Sequence, residues 1–273
     1  VVSEVIVIGN MTEITTATTK DELLAAVKDL NVEDQQNPTA LRLYGIDTQL
    51  SAGTTNHPEG DNAAIQHPDP YVVAEVNLVP AMARFEVEGF EYKLATGATA
   101  RDYSEMAVNS LSMRNWYKTA TVDFAGAVTP GALDAFATTE LNVNNIYGTY
   151  FSTFAENAGL WYFDDVKETT LAAANEWKSV SETTCFAYQV FPGKAVPQFL
   201  IELTGKEGGV SSPLYLMTNS LKAGETALAE VEAGKIYRMT MSFDDGNLQE
   251  PEKCIQVKIT VSPWSVVVIT PEF

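Results

Sequence analysis

The side chains that could do chemistry are few, and their spacing supports little. Both histidines, His57 and His67, fall in one polar stretch, residues 47–70, rich in Gly, Pro, Asn and Thr. A general base or metal ligand needs a partner that fixes its ring. Nothing local supplies one, so the two read as solvated loop residues. The turn Asp244-Asp-Gly-Asn-Leu-Gln-Glu-Pro-Glu252 gathers oxygen ligands of the kind Ca²⁺ accepts. It lacks the spacing of a calcium loop, and Asp-Gly between two apolar runs is first of all a hairpin turn. Trp161, Tyr162 and Phe163 could stack on a sugar, although a core or interdomain role suits them better. Among 36 acidic residues a carboxylate pair for glycoside hydrolysis is easily picked by chance, and no context singles one out. The nucleophile elbow, the zinc-protease helix, the phosphate-binding loop and Cys-x-x-Cys are all missing. The sequence predicts a protein that is not an enzyme and uses no cofactor or metal.

Cys185 and Cys254 are the two cysteines. They could form a disulfide in an oxidising compartment, and two buried free thiols fit as well. The net charge of −19 argues against nucleic acid and against anionic membrane surfaces, both of which require a basic face. For a sticky β-protein such a charge preserves solubility. With 273 residues, 45% of them hydrophobic and 10% aromatic, the chain can bury a sizeable core. No run approaches the ~18 apolar residues of a membrane span. The chain opens at Val1-Val-Ser-Glu4, as though a preceding segment had been removed.

The elements that hold these residues are mostly strands. Val5-Ile-Val-Ile8 before Gly9-Asn10 predicts a strand buried on both faces. Thr19-Lys-Asp-Glu22 is a capping box, and Leu23, Val27 and Leu30 continue it as one face of a short amphipathic helix. Strands are predicted at 41–44, 71–78, 83–88 and along 107–122. Ala125 to Ala132 reads as a seam between domains, dividing the chain into 1–122 and 123–273. Beyond it, strands are predicted at 184–191, 198–203, 214–217 and 236–243, the last with Tyr237, Met239, Met241 and Phe243 on one face. Short strands separated by turn signals indicate antiparallel sandwiches without βαβ units.

The chain ends on two β-runs of different character. Ile255, Val257, Ile259 and Val261 alternate with Gln256, Lys258, Thr260 and Ser262, the period of a half-buried strand. Pro263 interrupts it. Then follows Ser265-Val-Val-Val-Ile-Thr270, in which Val266, Val267, Val268 and Ile269 are consecutive. So apolar a strand must find a sheet, in its own domain or in a neighbouring molecule, and the choice between them decides the function.

Val5-Ile-Val-Ile-Gly-Asn10 with its Thr-capped helix, Leu78-Val-Pro-Ala-Met-Ala-Arg-Phe-Glu-Val-Glu88, and Ala233-Gly-Lys-Ile-Tyr-Arg-Met239 with Ile255 to Trp264 together resemble the fimbrillin family of Bacteroidales, the type V pilins. The resemblance implies two transthyretin-like antiparallel β-sandwich domains in tandem with a few short helices. It also implies export as a lipoprotein precursor and residence in an extracellular fimbrium attached to the outer membrane. An Arg-specific protease then removes an N-terminal strand, and a strand from the C-terminal end of the next subunit fills the vacated groove. On that reading Val266, Val267, Val268 and Ile269, within 265–273, are the donor strand, and Val5, Ile6, Val7 and Ile8 border the acceptor groove. The family's cleavage-site arginine is absent from this chain. The partners are other fimbrial subunits and a host surface protein or glycan. The alternative is a non-polymerising surface lipoprotein or fimbrial tip adhesin that keeps its last strand and binds host protein or glycan.

Overall fold

In the computed structural model, residues 2–11, 16–52, 72–93, 103–133, 163–172, 177–179, 185–218, 220–244 and 256–263 are described. They form a mostly β fold with one α-helix and two 3-10 turns. Its centre is a sandwich of two sheets.

The first sheet is built on Ala83–Lys93 and Lys235–Asp244, which run parallel to each other. Gln256–Pro263 adds antiparallel to the latter. On its far side the short strand Lys222–Ala223 runs parallel to it and turns back as Thr226–Ala227. The other side of Ala83–Lys93 receives Phe186–Val190 and Trp177–Ser179. The second sheet is antiparallel throughout, in the order Phe163–Ala172, Tyr103–Arg114, Gln198–Glu207, Val210–Met217. Its last hairpin closes over Gly208 and Gly209 at φ 58° and 86°, the left-handed pair that a two-residue turn matching strand twist requires.

Period-two patterning dictates how the sheets meet. Phe85, Val87, Tyr237, Met239, Met241 and Phe243 of the first are buried, as are Phe199, Ile201 and Leu203 of the second. Phe85 stacks on Tyr237 at 4.8 Å and meets Phe199 across the gap at 6.1 Å. Rings at these separations add attraction beyond their area.

Two small sheets extend the body. One orders Val5–Gly9, Leu43–Asp47 and Val79–Pro80, and the other orders Val128–Pro130, Thr119–Val122 and Asp29–Asn31. The helix Lys20–Val27 has the predicted capping box: Glu22 N–H donates to Thr19 Oγ1 at 3.2 Å, and Thr19 N–H donates to Glu22 Oε2 at 3.2 Å.

Several expectations need correction. Leu30 lies in a strand and not on the helix, because the helix ends at Val27 and the chain is extended from Asp29. Val5–Ile8 is half-buried, not fully buried. Among the described residues of the predicted strand over 71–78, only Val72–Val73 is a strand, and it pairs with Ser51–Ala52. The run 107–122 breaks at Asn115, whose φ of 64° leaves the extended region. Residues 125–132 form no free linker: Val128–Pro130 returns on Thr119–Val122 as a hairpin. The sheets are antiparallel as expected, with two parallel pairings among them. Strands from both sides of residue 122 share the large sheets, so the boundary at 122/123 does not coincide with a boundary between sheets.

Candidate assembly edge

Val5–Gly9 pairs antiparallel with Leu43–Asp47 and, among the described residues, with no other strand. Among the described residues, therefore, its second edge has no strand beside it, the arrangement that serves as a template for strand addition. Cross-strand partners share a face. Ile6 opposite Ile46 and Ile8 opposite Tyr44 point inward, and Ile6, Ile8 and Ile46 pack on the buried core that contains Tyr44. Val5, Val7 and Gly9 take the other face, opposite Asp47, Gly45 and Leu43.

On that other face, the position of Gly45 is covered. The ladder between Leu43–Asp47 and Val79–Pro80 stops at Tyr44 and Val79, and the chain preceding Val79 leaves the plane of the sheet. A Cβ on Gly45 would lie 2.5 Å from the Asn77 carbonyl oxygen and 2.7 Å from Val76 Cγ1. The segment thus passes over the spot where a side chain would stand, which only glycine leaves open. Asp47 fixes the segment's start: its Oδ2 accepts from Glu75 N–H and its Oδ1 from Gln49 N–H, both at 2.8 Å.

Both ends of the edge are secured. Asn10 adopts φ 58°, and its side-chain amide donates to the Leu41 carbonyl at 2.6 Å. Lys20 pairs with Glu4 at 2.6 Å. Between them lie five residues with neither a charge nor a proline.

The other described sheet edges are blunted in ways that discourage pairing. Val210–Met217 contains Pro213, and Val128–Pro130 ends on proline. Trp177–Ser179 contains Lys178, and Phe163–Ala172 carries charges and a register shift. Phe186–Val190 is covered where Gln36 Nε2 donates to the Gln189 carbonyl at 3.3 Å. The remaining edges are two or three residues long.

The remaining sequence candidates are placed as follows. Val266, Val267, Val268, Ile269, Cys254, His57, His67, Trp161 and Tyr162 lie outside the described residues, as do residues 245–252 of the acidic turn. Phe163 begins a strand and is half-buried. Among the described residues no three His, Cys, Asp or Glu side chains are close enough to share a metal ion, and no helix is long and apolar enough to cross a membrane. Cys185 is a free, partly buried thiol. Burial pushes its pKa up and nearby Glu86 adds to the shift, while Arg84 opposes it.

Patterning alone missed two features. One is Gly45 with its overlying segment, of which an isolated glycine in an apolar strand was the available signal. The other is a buried carboxylate on the outer face of the first large sheet. Glu86, 6% exposed, accepts Arg238 Nε at 2.7 Å and lies 2.7 Å from Arg84 Nε. Two guanidiniums around one carboxylate make its burial tolerable. The network ties Ala83–Lys93 to its parallel neighbour.

Known structures share this architecture. A candidate cell adhesion protein from Parabacteroides distasonis superposes with a TM-score of 0.58 at 12% identity, covering 97% of this chain and 76% of that one. The fimbrilin FimA of Porphyromonas gingivalis gives 0.52 at 13% identity, covering 98% and 81%. A candidate cell adhesion protein from Bacteroides eggerthii gives 0.51 at 15% identity, covering 96% and 77%. No family profile and no curated protein matches the chain. The resemblance read from the sequence thus holds at the level of the fold, which is the one found in these Bacteroidales fimbrial and adhesion proteins.

Proposed function

We propose that this protein is a structural and adhesive subunit of a cell-surface fimbrium and polymerises by strand donation. The closing strand Val266–Ile269 of one copy adds to the Val5–Gly9 edge of the next. The observation that carries this reading is the apolar edge of Val5–Gly9, beside which no described strand lies, in a molecule whose other described edges are short, charged, proline-bearing or covered. The commitment of the preceding strand also supports it. Gln256–Pro263 is paired on both sides within its own sheet and is not free to donate, which leaves 265–270 as the terminal β-run with an open assignment.

Each apolar side chain buried by the donated strand contributes about 1.5–3 kcal/mol, and each new ladder hydrogen bond about 0.5–1.5 kcal/mol net. Part of that offsets the loss of freedom on association. The contact joins two different surfaces and does not close on itself, so it generates a filament. On this reading the subunit works outside the cell, anchored to the outer membrane first as a lipoprotein precursor and then through the fimbrium. Its partners are its own copies and other subunits, with a host protein or glycan as the adhesive target. An Arg-specific protease opens the edge before assembly. It carries out no catalysis.

The test is deletion of residues 265–273, followed by electron microscopy and sedimentation. Loss of polymer with an intact monomer supports strand donation. Polymer surviving the deletion refutes donation by this segment, and a saturable glycan or host-protein interaction of a permanently monomeric full-length chain favours a tip or stand-alone adhesin.

A further inference from the structure

Val72 and Val73 are 51% and 43% exposed. Successive strand residues point to opposite faces, so neither face of the two-stranded ribbon that Val72–Val73 makes with Ser51–Ala52 is covered there. Ser51 and Ala52 are exposed as well. Solvated strands carry polar residues on the wet face, and a ribbon of this size gains little stability alone. The ribbon is nevertheless held in place, because Asp47 accepts from Gln49 N–H and Glu75 N–H at the root of both its strands. Val5 lies opposite Asp47 in an antiparallel pair, so the chain before Val5 and the chain after Asp47 leave the small sheet at the same end. Val2, close before Val5 in the chain, is 60% exposed. Of the five large apolar residues exposed among the described residues, Val2, Val72 and Val73 thus gather at that one end.

We infer that this ribbon is a second contact between subunits, in which Val72 and Val73 pack on the body of the neighbouring copy that donates its strand. The choice of partner rests on the assembly reading above. The Gly9 end of the edge runs into its own molecule, where the Asn10 amide holds the Leu41 carbonyl and Met11 packs on the core. A folded neighbour reaching the edge therefore stands beyond the Val5 end, beside the ribbon. Charge favours the same place. Copies at −19 each meet at least cost through surface that carries no charge. Residues 48–52 and 72–74 contain no charged side chain, and Glu4 is paired with Lys20 at 2.6 Å. A ribbon this small covers far less than the ~1,000 Å² of a self-sufficient interface. It therefore strengthens the contact that the donated strand makes and does not create one alone.

The experiment compares the full chain with V72T/V73T, with V210T as a control and the 265–273 deletion alongside. Threonine retains the β-branched shape and strand propensity of valine, and the replaced residues are exposed, so the folded body is unaltered. Val210 is 67% exposed but belongs to a hairpin of the second large sheet. Sedimentation of the polymer reads the concentration of subunit left free. V72T/V73T should raise it roughly threefold or more, and V210T should leave it unchanged. The thermal midpoint of the deletion variant should be the same with and without V72T/V73T. If V72T/V73T polymerises like the unmodified chain while the deletion abolishes polymer, strand donation stands and the ribbon contact is wrong. An equal rise with V210T, or a midpoint lowered by V72T/V73T, also overturns the contact, since the valines then act through general surface apolarity or within their own chain. Polymer that survives the deletion, or a full chain monomeric at every concentration, refutes the assembly reading, and the choice of the donating copy falls with it.

Discussion

The hydroxyl of Tyr188 donates to Asp164 Oδ2 at 2.6 Å, joining a strand of one large sheet to a strand of the other. Asp164 lies opposite Leu111 and so points toward the interior, an unusual place for a carboxylate. Tyr188 is 2% exposed. Tyr188→Phe leaves the inward carboxylate without this donor and should cost about 1–3 kcal/mol of unfolding free energy, read from urea denaturation. A change below about 0.5 kcal/mol would show that the bridge is structurally idle.

The helix cap makes a pH prediction. Hydrogen bonds from Thr18 N–H and the Thr18 hydroxyl, and then from Thr19 N–H, hold the Glu22 carboxyl below its usual value of 4.5. A carboxyl with a depressed folded-state pKa stabilises the fold above its unfolded pKa, and that contribution fades as pH falls through the folded value. Glu22→Gln should therefore lower thermal stability near pH 7 and have less effect below pH 4, as measured by circular dichroism. An equal effect at both pH values would contradict the charged cap.

The cysteines should not pair within one chain. Phe186 lies opposite Val87, whereas Gln256 lies opposite Ser242, which is itself beside Glu91. Three strand spacings across and four residues along put the two ends roughly 19 Å apart. One residue of chain to Cys185 and two to Cys254 close at most ~11 Å of that. The remaining distance exceeds the ~7 Å between Cα atoms that a disulfide bridges. Purified, unreduced monomer should give two reactive thiols per chain with Ellman's reagent in denaturant. A monomer with none would contradict the register.

Assembly must work against charge. Subunits at −19 each repel one another, and the repulsion is screened over ~10 Å at 0.1 M salt. Polymerisation by an apolar strand should therefore speed up as NaCl rises from 20 to 300 mM, followed by light scattering. Slower assembly at high salt would indicate that attractive ion pairs, and not apolar burial, hold the contact.

Much of the fold was legible because period-two alternation survives wherever one face of a strand is wet. Tyr237, Met239, Met241 and Phe243 are buried as their spacing predicts, and Thr19 caps its helix as the Thr-x-x-Glu spacing predicts. What was not legible depends on the partner. Ala83–Lys93 alternates like an antiparallel strand, yet its long-range neighbour Lys235–Asp244 runs parallel to it, and no local pattern encodes a pairing between residues so far apart in the chain. Glu86 occupies a nominally outward position and is buried because two arginines cover it. Val5–Ile8 read correctly as a strand, but its burial was overestimated because consecutive apolar residues describe the environment of a completed sheet, and one edge here has no described neighbour. Gly45 gave only the weak signal of a glycine inside a strand.

The central claim is that a valine-rich strand of another copy completes the sheet at Val5–Gly9. It is tested most directly by amide hydrogen exchange on polymer and monomer of the full chain. The account predicts that alternate amides of Val5–Gly9, fast in the monomer, become strongly protected in the polymer together with those of Val266–Ile269. Polymer in which the Val5–Gly9 amides exchange as rapidly as in the monomer would contradict it.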